Sequence, residues 1–180
     1  MADDRCSILL VADFGAALVT VDVARHPAAR AAAEALLGHD GLPPAGRVGR
    51  GDGPACLWQG PRDWLLTGSV ERVADLADDL RVALAPWPAL VSVQSDALIA
   101  FDLAGPRAAD VLATGTGVDL HPSAFPIGAS VVTRFGPLRA TLFRHAQGYR
   151  LIVDRSRGAW LHLWLEKAVA GLPPEPFLPR

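Results

Sequence analysis

The chain is short of several things, and each shortage removes a class of function. Cysteine occurs twice in 180 residues, at Cys6 and Cys56, in separate regions and without a CxxC spacing. That sets aside a structural zinc site and a disulfide framework. The five histidines (His26, His39, His121, His145 and His162) hold no metal-ligand spacing to one another or to cysteine, which argues against a metal centre. Neither sign of charge dominates: 17 Lys and Arg stand against 19 Asp and Glu, a net charge of −2, with no block of like charge. The basic stripe expected of a nucleic-acid partner is therefore missing. No apolar run approaches the ~20 residues of a membrane span. The acidic start, Met1 to Arg5, and an apolar run broken by Asp13 and Gly15 lack the layout of a signal peptide. The expectation is a cytoplasmic protein with neither nucleic acid nor membrane as partner.

Signatures of self-contained catalysis are missing too. Gly49-Arg50-Gly51-Asp52-Gly53 lacks the Gly-Lys-Ser/Thr ending of a phosphate loop and the strand-to-helix junction around it. No Gly-x-Gly-x-x-Gly follows a strand, so nothing is set to hold a dinucleotide. No Gly-x-Ser-x-Gly elbow exists, and Ser123 is expected to have no base in reach. His121, between Leu120 and Pro122 in a tight turn, reads as a local hydrogen-bonding residue. Asp96, Asp102 and Asp119 are the acids nearest strand ends, where turn formation is the commoner use of aspartate.

What is present is apolar surface. Hydrophobic residues make up 51% of the chain, with a mean hydropathy of +0.25. Without a membrane segment, such a surplus points toward burial on a partner protein, although alanine inflates the figure. The length suits a single domain over residues 1–180. Residues 8–12 are a strand or a docking arm, and residues 17–23 a β-branched strand. Pro27 opens an Ala-rich helix with Ala31, Ala35, Leu36 and Leu37 as its apolar positions. Residues 38–54, rich in Gly and Pro, read as a flexible connection.

Cys56 to Thr67 is a hairpin about Gly60-Pro61-Arg62-Asp63. Ser69 caps a helix over residues 70–84 that buries Val73, Leu76, Ala77, Leu80 and Leu84. Strands follow at 90–93 and 97–103. Leu103-Ala104-Gly105-Pro106-Arg107 then turns into a helix, with the left-handed stop assigned to Gly115 and Gly117. Residues 131–133, 140–143 and 149–153 form an antiparallel meander. Ser156 caps the last helix, whose apolar stripe is Trp160, Leu161, Trp164, Leu165 and Ala168. The tail, 172–180, is extended.

Leu57 to Leu84 and Leu142 to Ala168 echo one another as strand, turn, strand, serine, helix. The fold expected is α+β, a mainly antiparallel sheet with helices on one face. Aromatic residues near turns are enriched at interface centres. Trp58, Trp64, Trp87, His121, Phe125 and the tail residue Phe177 are therefore the candidate partner surface.

One set of motifs carries a resemblance. Leu57-Trp-Gln-Gly-Pro-Arg-Asp-Trp-Leu-Leu66, Leu103-Ala-Gly-Pro-Arg-Ala-Ala-Asp-Val-Leu-Ala113, Val118-Asp-Leu-His-Pro122, Ala124-Phe-Pro-Ile-Gly128 and Val153-Asp-Arg-Ser156 occur in order within residues 56–169. Together they resemble the gamma subunit of heterotetrameric sarcosine oxidase, itself similar to the folate-binding domain of aminomethyltransferases (the glycine-cleavage T-protein group). The resemblance implies that α+β fold and an accessory place in a complex that demethylates sarcosine oxidatively to glycine. FAD, FMN, NAD and tetrahydrofolate would then sit on other subunits, with the alpha chain as partner and beta and delta as further ones. In the aminomethyltransferases, Gly-Gly-hydrophobic-x-Asp-Asp supplies an acid that works on the folate. Here Gly136-Pro137-Leu138-Arg139-Ala140-Thr141 puts a methyl and a hydroxyl in the acidic places, and neither can replace a carboxylate. The resemblance therefore carries over no catalytic, cofactor-binding or metal-binding residue. The alternatives are a stand-alone folate-binding one-carbon protein, or the same subunit of a related N-methyl amine or betaine demethylase.

Overall fold

The computed structural model describes residues 6–38, 41–49 and 53–171. In chain order the strands and helices are β1 (Ser7–Leu10), β2 (Gly15–Val21), α1 (Pro27–Leu37), β3 (Val48–Gly49), β4 (Ala55–Gly60), β5 (Asp63–Gly68) and α2 (Val70–Leu84). Then come β6 (Ala89–Val93), β7 (Leu98–Ala104), α3 (Ala108–Ala113), β8 (Ser130–Phe135), β9 (Leu138–His145), β10 (Gly148–Asp154) and α4 (Gly158–Gly171). The strands form two five-stranded sheets, β3-β4-β5-β2-β6 and β1-β7-β10-β9-β8, and the named pairings are all antiparallel.

Side-chain alternation explains why there are two sheets rather than one. In β5, Trp64 and Leu66 point toward α1 and α2, meeting Ala29, Ala33, Val73, Ala77 and Leu80 in one core. In β9 and β10, Leu142 and Leu151 point toward α3 and α4, meeting Val111, Leu112, Leu161 and Leu165 in a second. The intervening residues Leu57, Leu65, Phe143 and Ile152, with Ala16 and Ala100, form a third core between the sheets. Both faces of each sheet are thus covered, and near-continuous apolar strands are what two-sided burial requires. The layers run helix, sheet, sheet, helix, so the expected single sheet is in fact a pair packed face to face.

The echo is structural. Read as β8-β9-β10-β7-β1, the second sheet repeats the order of the first. The unit β2-α1-β3-β4-β5-α2 recurs as β7-α3-β8-β9-β10-α4. The remaining strands are exchanged: β1 precedes the first unit yet pairs with β7 in the second sheet, while β6 returns to β2. These outer strands leave Leu9 and Leu90 in solvent.

Several local expectations change. In the stretch read as flexible, Leu42 is buried and Val48–Gly49 is a strand on β4. Hydrogen bonds from Val48 N–H to Gly128 O (2.9 Å) and from Ser130 N–H to Gly46 O (3.0 Å) tie the two sheets at this edge. Helix α1 buries Leu37 as expected, but its buried alanines are Ala29 and Ala33, about half a turn from the expected Ala31 and Ala35. Ser69 makes no side-chain cap; instead Asp13 Oδ1, just ahead of the neighbouring strand β2, accepts the Val70 N–H at 2.9 Å. Before α4, Asp154 rather than Ser156 is the capping side chain, accepting the Ser156 N–H. The left-handed glycine at α3 is Gly105 (φ 107°), ahead of the helix, since Thr114 ends it in ordinary helical geometry. Gly115 serves a close approach: a Cβ there would lie 2.4 Å from Phe135 Cζ. Residues 1–5, 39–40, 50–52 and the tail with Phe177 lie outside the described residues.

Gly115→Ala is expected to cost ~1–3 kcal/mol through overpacking, measured as a lower urea midpoint. Phe135→Leu in the same chain should recover part of that loss if the ring is the obstacle. Burial also pushes the Cys56 thiol up to about 12 and raises Cys6. Both are free thiols, and they should resist iodoacetamide until the chain unfolds, read by mass spectrometry.

Candidate functional site

The space between the sheets opens at opposite ends of the strands into two clefts. One, of about 500 Å³, lies beside the β4–β5 turn and is lined by Gln59, Asp63, Arg139, Ala140, Thr141 and Asp154, among others. Ala140 and Thr141 are both buried, and the Thr141 hydroxyl donates to Gln59 Oε1 at 2.9 Å. The two acids on the rim each have an oxygen engaged. Asp63 accepts from Thr20 at 2.6 Å, and Asp154 accepts the Ser156 N–H at 2.8 Å. The floor of this cleft therefore offers a methyl and an occupied hydroxyl, with no carboxylate.

The other cleft, of about 560 Å³, lies beside the β9–β10 turn. Its wall carries a charged cluster built by cross-strand register. Asp102 on β7 sits opposite Arg150 on β10, and both face the inter-sheet side of strands whose other residues are mostly apolar. Arg150 donates from Nε to Asp102 Oδ1 and from Nη2 to Oδ2, each at 2.7 Å, in a two-pronged pair. The guanidinium lies over the Phe143 ring, 5.8 Å from its centroid. His145 Nε2 approaches Asp102 Oδ1 to 3.6 Å, which is charge attraction rather than a hydrogen bond. Its Nδ1 lies 3.1 Å from Gln147 Oε1.

Burial alone would raise Asp102. The hydrogen bonds and charge of Arg150, aided by His145, outweigh it and hold the carboxyl at about 2. The Asp102 carboxylate in turn raises His145, against the effect of burial. Asp102 was among the acids picked out by position; its partner Arg150 was not. The available signal was one charged residue at an inward place in each of two apolar strands, Ile99-Ala-Phe-Asp-Leu103 and Tyr149-Arg-Leu-Ile-Val153.

The six residues expected to meet a partner are not brought together. Trp64 is buried under α1 and α2, donating its indole N–H to Pro43 O at 3.0 Å. Trp58 and Trp87 are half-buried against the same core. Phe125 is buried on the far sheet, its ring stacked 6.4 Å from Tyr149. Only His121 is exposed among the described members of the six. It also corrects the expectation that Ser123 has no base in reach: His121 Nδ1 lies 2.7 Å from Ser123 Oγ. That pair is an exposed turn, however, and Asp119 bonds the His121 backbone N–H rather than its ring, so no third group orients the imidazole for catalysis.

An exposed aromatic surface lies on α4 instead. Trp160 is 40% and Leu163 51% exposed. With Trp164, Lys167, Ala168 and Gly171 they line a cleft of about 490 Å³. Trp160 and Trp164 meet edge to face at 4.8 Å. Of the expected stripe, Leu161 and Leu165 reach the core, and Trp160 stays in solvent.

Linkage fixes the pH behaviour of the charged cluster. Asp102 is depressed, so its contribution is present above ~4 and lost as pH falls through about 2; His145 is raised, so its contribution is present below ~6.5 and lost as pH rises through its folded value. Asp102→Asn should cost about 2 kcal/mol near pH 6 and little near pH 2, read from urea midpoints across that range.

A family model described as the sarcosine oxidase, gamma subunit family matches residues 21–171. A chain of the heterotetrameric sarcosine oxidase from Corynebacterium sp. U-96, in complex with pyrrole 2-carboxylate, superposes with a TM-score of 0.86 at 28% identity, covering 99% of this chain and 91% of that one. Aminomethyltransferase T of the glycine cleavage system from Bartonella henselae shares the fold. Its TM-score is 0.63 at 13% identity, covering 89% of this chain and 45% of that one. No curated protein sequence matches. Sequence and fold agree over this span, and the chain belongs to the sarcosine oxidase gamma subunit family.

Proposed function

We propose that the chain is the accessory gamma subunit of a heterotetrameric sarcosine oxidase, packed against the alpha subunit and contributing no catalytic group of its own. The observation that carries this is the family match over residues 21–171, together with a likeness of 0.86 to a chain of such an oxidase. The complex would oxidise sarcosine to glycine and pass the one-carbon unit to tetrahydrofolate. FAD, FMN, NAD and tetrahydrofolate would be held by other subunits, with beta and delta completing the assembly. The inter-sheet cleft supports the division of labour. Where the resemblance to the aminomethyltransferases expects an acid, Ala140 and Thr141 supply none, and the two acids that line the cleft, Asp63 and Asp154, are engaged by Thr20 and Ser156.

Among the described residues, large apolar side chains are exposed in groups on the outer strands β1 and β6 and on α4, and singly at Leu36, Val70, Val82 and Ile127. The α4 face is concave and aromatic, the composition of an interface centre, and Lys167 stands at its rim. It is the face assigned here to the alpha subunit.

Co-expression with the other chains of the complex tests the reading. The chain is expected to co-purify with a flavoprotein, and one that stays alone beside the assembled flavoprotein would overturn it. Leu163→Glu should weaken association at least about tenfold while leaving the thermal midpoint of the isolated chain unchanged. Calorimetry with tetrahydrofolate addresses the stand-alone alternative: no heat of binding is expected from the chain by itself, and micromolar binding would restore a folate role.

A further inference from the structure

We propose that the cleft beside Asp102 and Arg150 binds a small organic carboxylate with a short apolar body, a role independent of the place of the chain in a complex. This cleft is at the opposite end of the sheets from the one floored by Ala140 and Thr141. Its chemistry is an excess of donors over acceptors. A guanidinium carries five N–H groups. Arg150 commits two of them to Asp102, which leaves its Nη1 side without a protein acceptor among the described residues. Both Asp102 oxygens already accept from Arg150, which holds the carboxylate and the fork in one plane of contact.

Two further polar atoms of this cleft, Thr67 Oγ1 and His145 Nε2, are hidden from solvent with no hydrogen-bond partner among the described residues; Gln59 Nε2, in the other cleft, is a third. Thr67 is 2% exposed and lines the cleft. A buried hydroxyl without a partner is rare in folded proteins and calls for an explanation; a ligand oxygen closing onto the cleft provides one, since the hydroxyl can turn among staggered positions to meet it. The Gln147 side chain stands on the same wall. The remaining lining, Val48, Ala55 and Phe143, is apolar and suits a short hydrocarbon body rather than a second charge. Asp102 and Arg150 cancel one another, so a single negative charge is balanced whenever His145 carries its proton.

The site is particular to this half of the molecule. In the first sheet the corresponding cross-strand pair is Leu18 opposite Leu65, which line the other cleft with hydrocarbon. Only the second sheet places a carboxylate–guanidinium pair at that register.

The test titrates the full chain with propionate, and with propionamide as the neutral control, while heteronuclear NMR follows the Thr67 and Gln147 amides and the Arg150 Nε–H. Propionate should shift these signals saturably, and propionamide should not. Thr67→Val keeps the shape and removes the hydroxyl. Binding should weaken about five- to tenfold, with a urea midpoint equal to or above that of the parent chain. Arg150→Lys retains the charge opposite Asp102 but loses the fork, and should weaken binding to a similar degree. No saturable shift up to ~50 mM propionate, well above a millimolar Kd, would overturn the assignment. So would equal effects of acid and amide, or undiminished binding by a folded Thr67→Val or Arg150→Lys chain. None of these outcomes depends on whether the chain joins an oxidase.

Discussion

Burial of both faces of each sheet is the constraint on which the rest of the molecule depends. A sheet that must be apolar on two sides needs helices on one side and a second sheet on the other. That requirement fixes the four layers and leaves open space only where the strands diverge at their ends. Small residues at the seam, Ala16 and Ala100, are completely buried, allowing the sheets to close over the middle of the interface. The two clefts are what that closure leaves, and their chemistry is set by whichever side chains occupy the last inward places.

The internal repeat makes the divergence readable. Trp64 and Tyr149 occupy corresponding outward places, and the next residues, Leu65 and Arg150, turn inward opposite Leu18 and Asp102. One scaffold position thus holds hydrocarbon in one half and an ion pair in the other. The same doubling bears on the surface. Helices α2 and α4 occupy equivalent places, yet α2 presents Glu71, Asp75, Asp78 and Asp79 beside Val82 on its outer side, while α4 presents Trp160 and Leu163 beside His162, Glu166 and Lys167. An apolar stripe and an apolar outer face on one helix are more than a single core can cover, and the surplus is the feature that fits a subunit's life against a neighbour.

Much of the fold was legible because its determinants are local. Proline at the start of α1, the spacing of Val73, Ala77, Leu80 and Leu84, and the short turns of the β8–β10 meander each act within a few residues. The misreadings share one origin, in partners distant along the chain. Ser69 looked like the cap of α2, but Asp13, 57 residues before Val70, accepts the first N–H of the helix. Residues 41–49 have no periodicity of their own and are ordered by hydrogen bonds to the β8 edge and by the Trp64 indole on Pro43. Gly115 looked like a helix stop, and its lack of a side chain answers instead to the Phe135 ring.

The sequence by itself determined most of the order of the elements, the repeat and the family, because each is written in contiguous residues. Tertiary structure alone decided that there are two sheets rather than one, that Trp64 and Phe125 lie inside while Trp160 and Leu163 lie outside, and that Asp102 meets Arg150. These are facts of register and of layer, and register is set when strands 48 residues apart in the chain are laid side by side. No local pattern encodes which inward residue will stand opposite which.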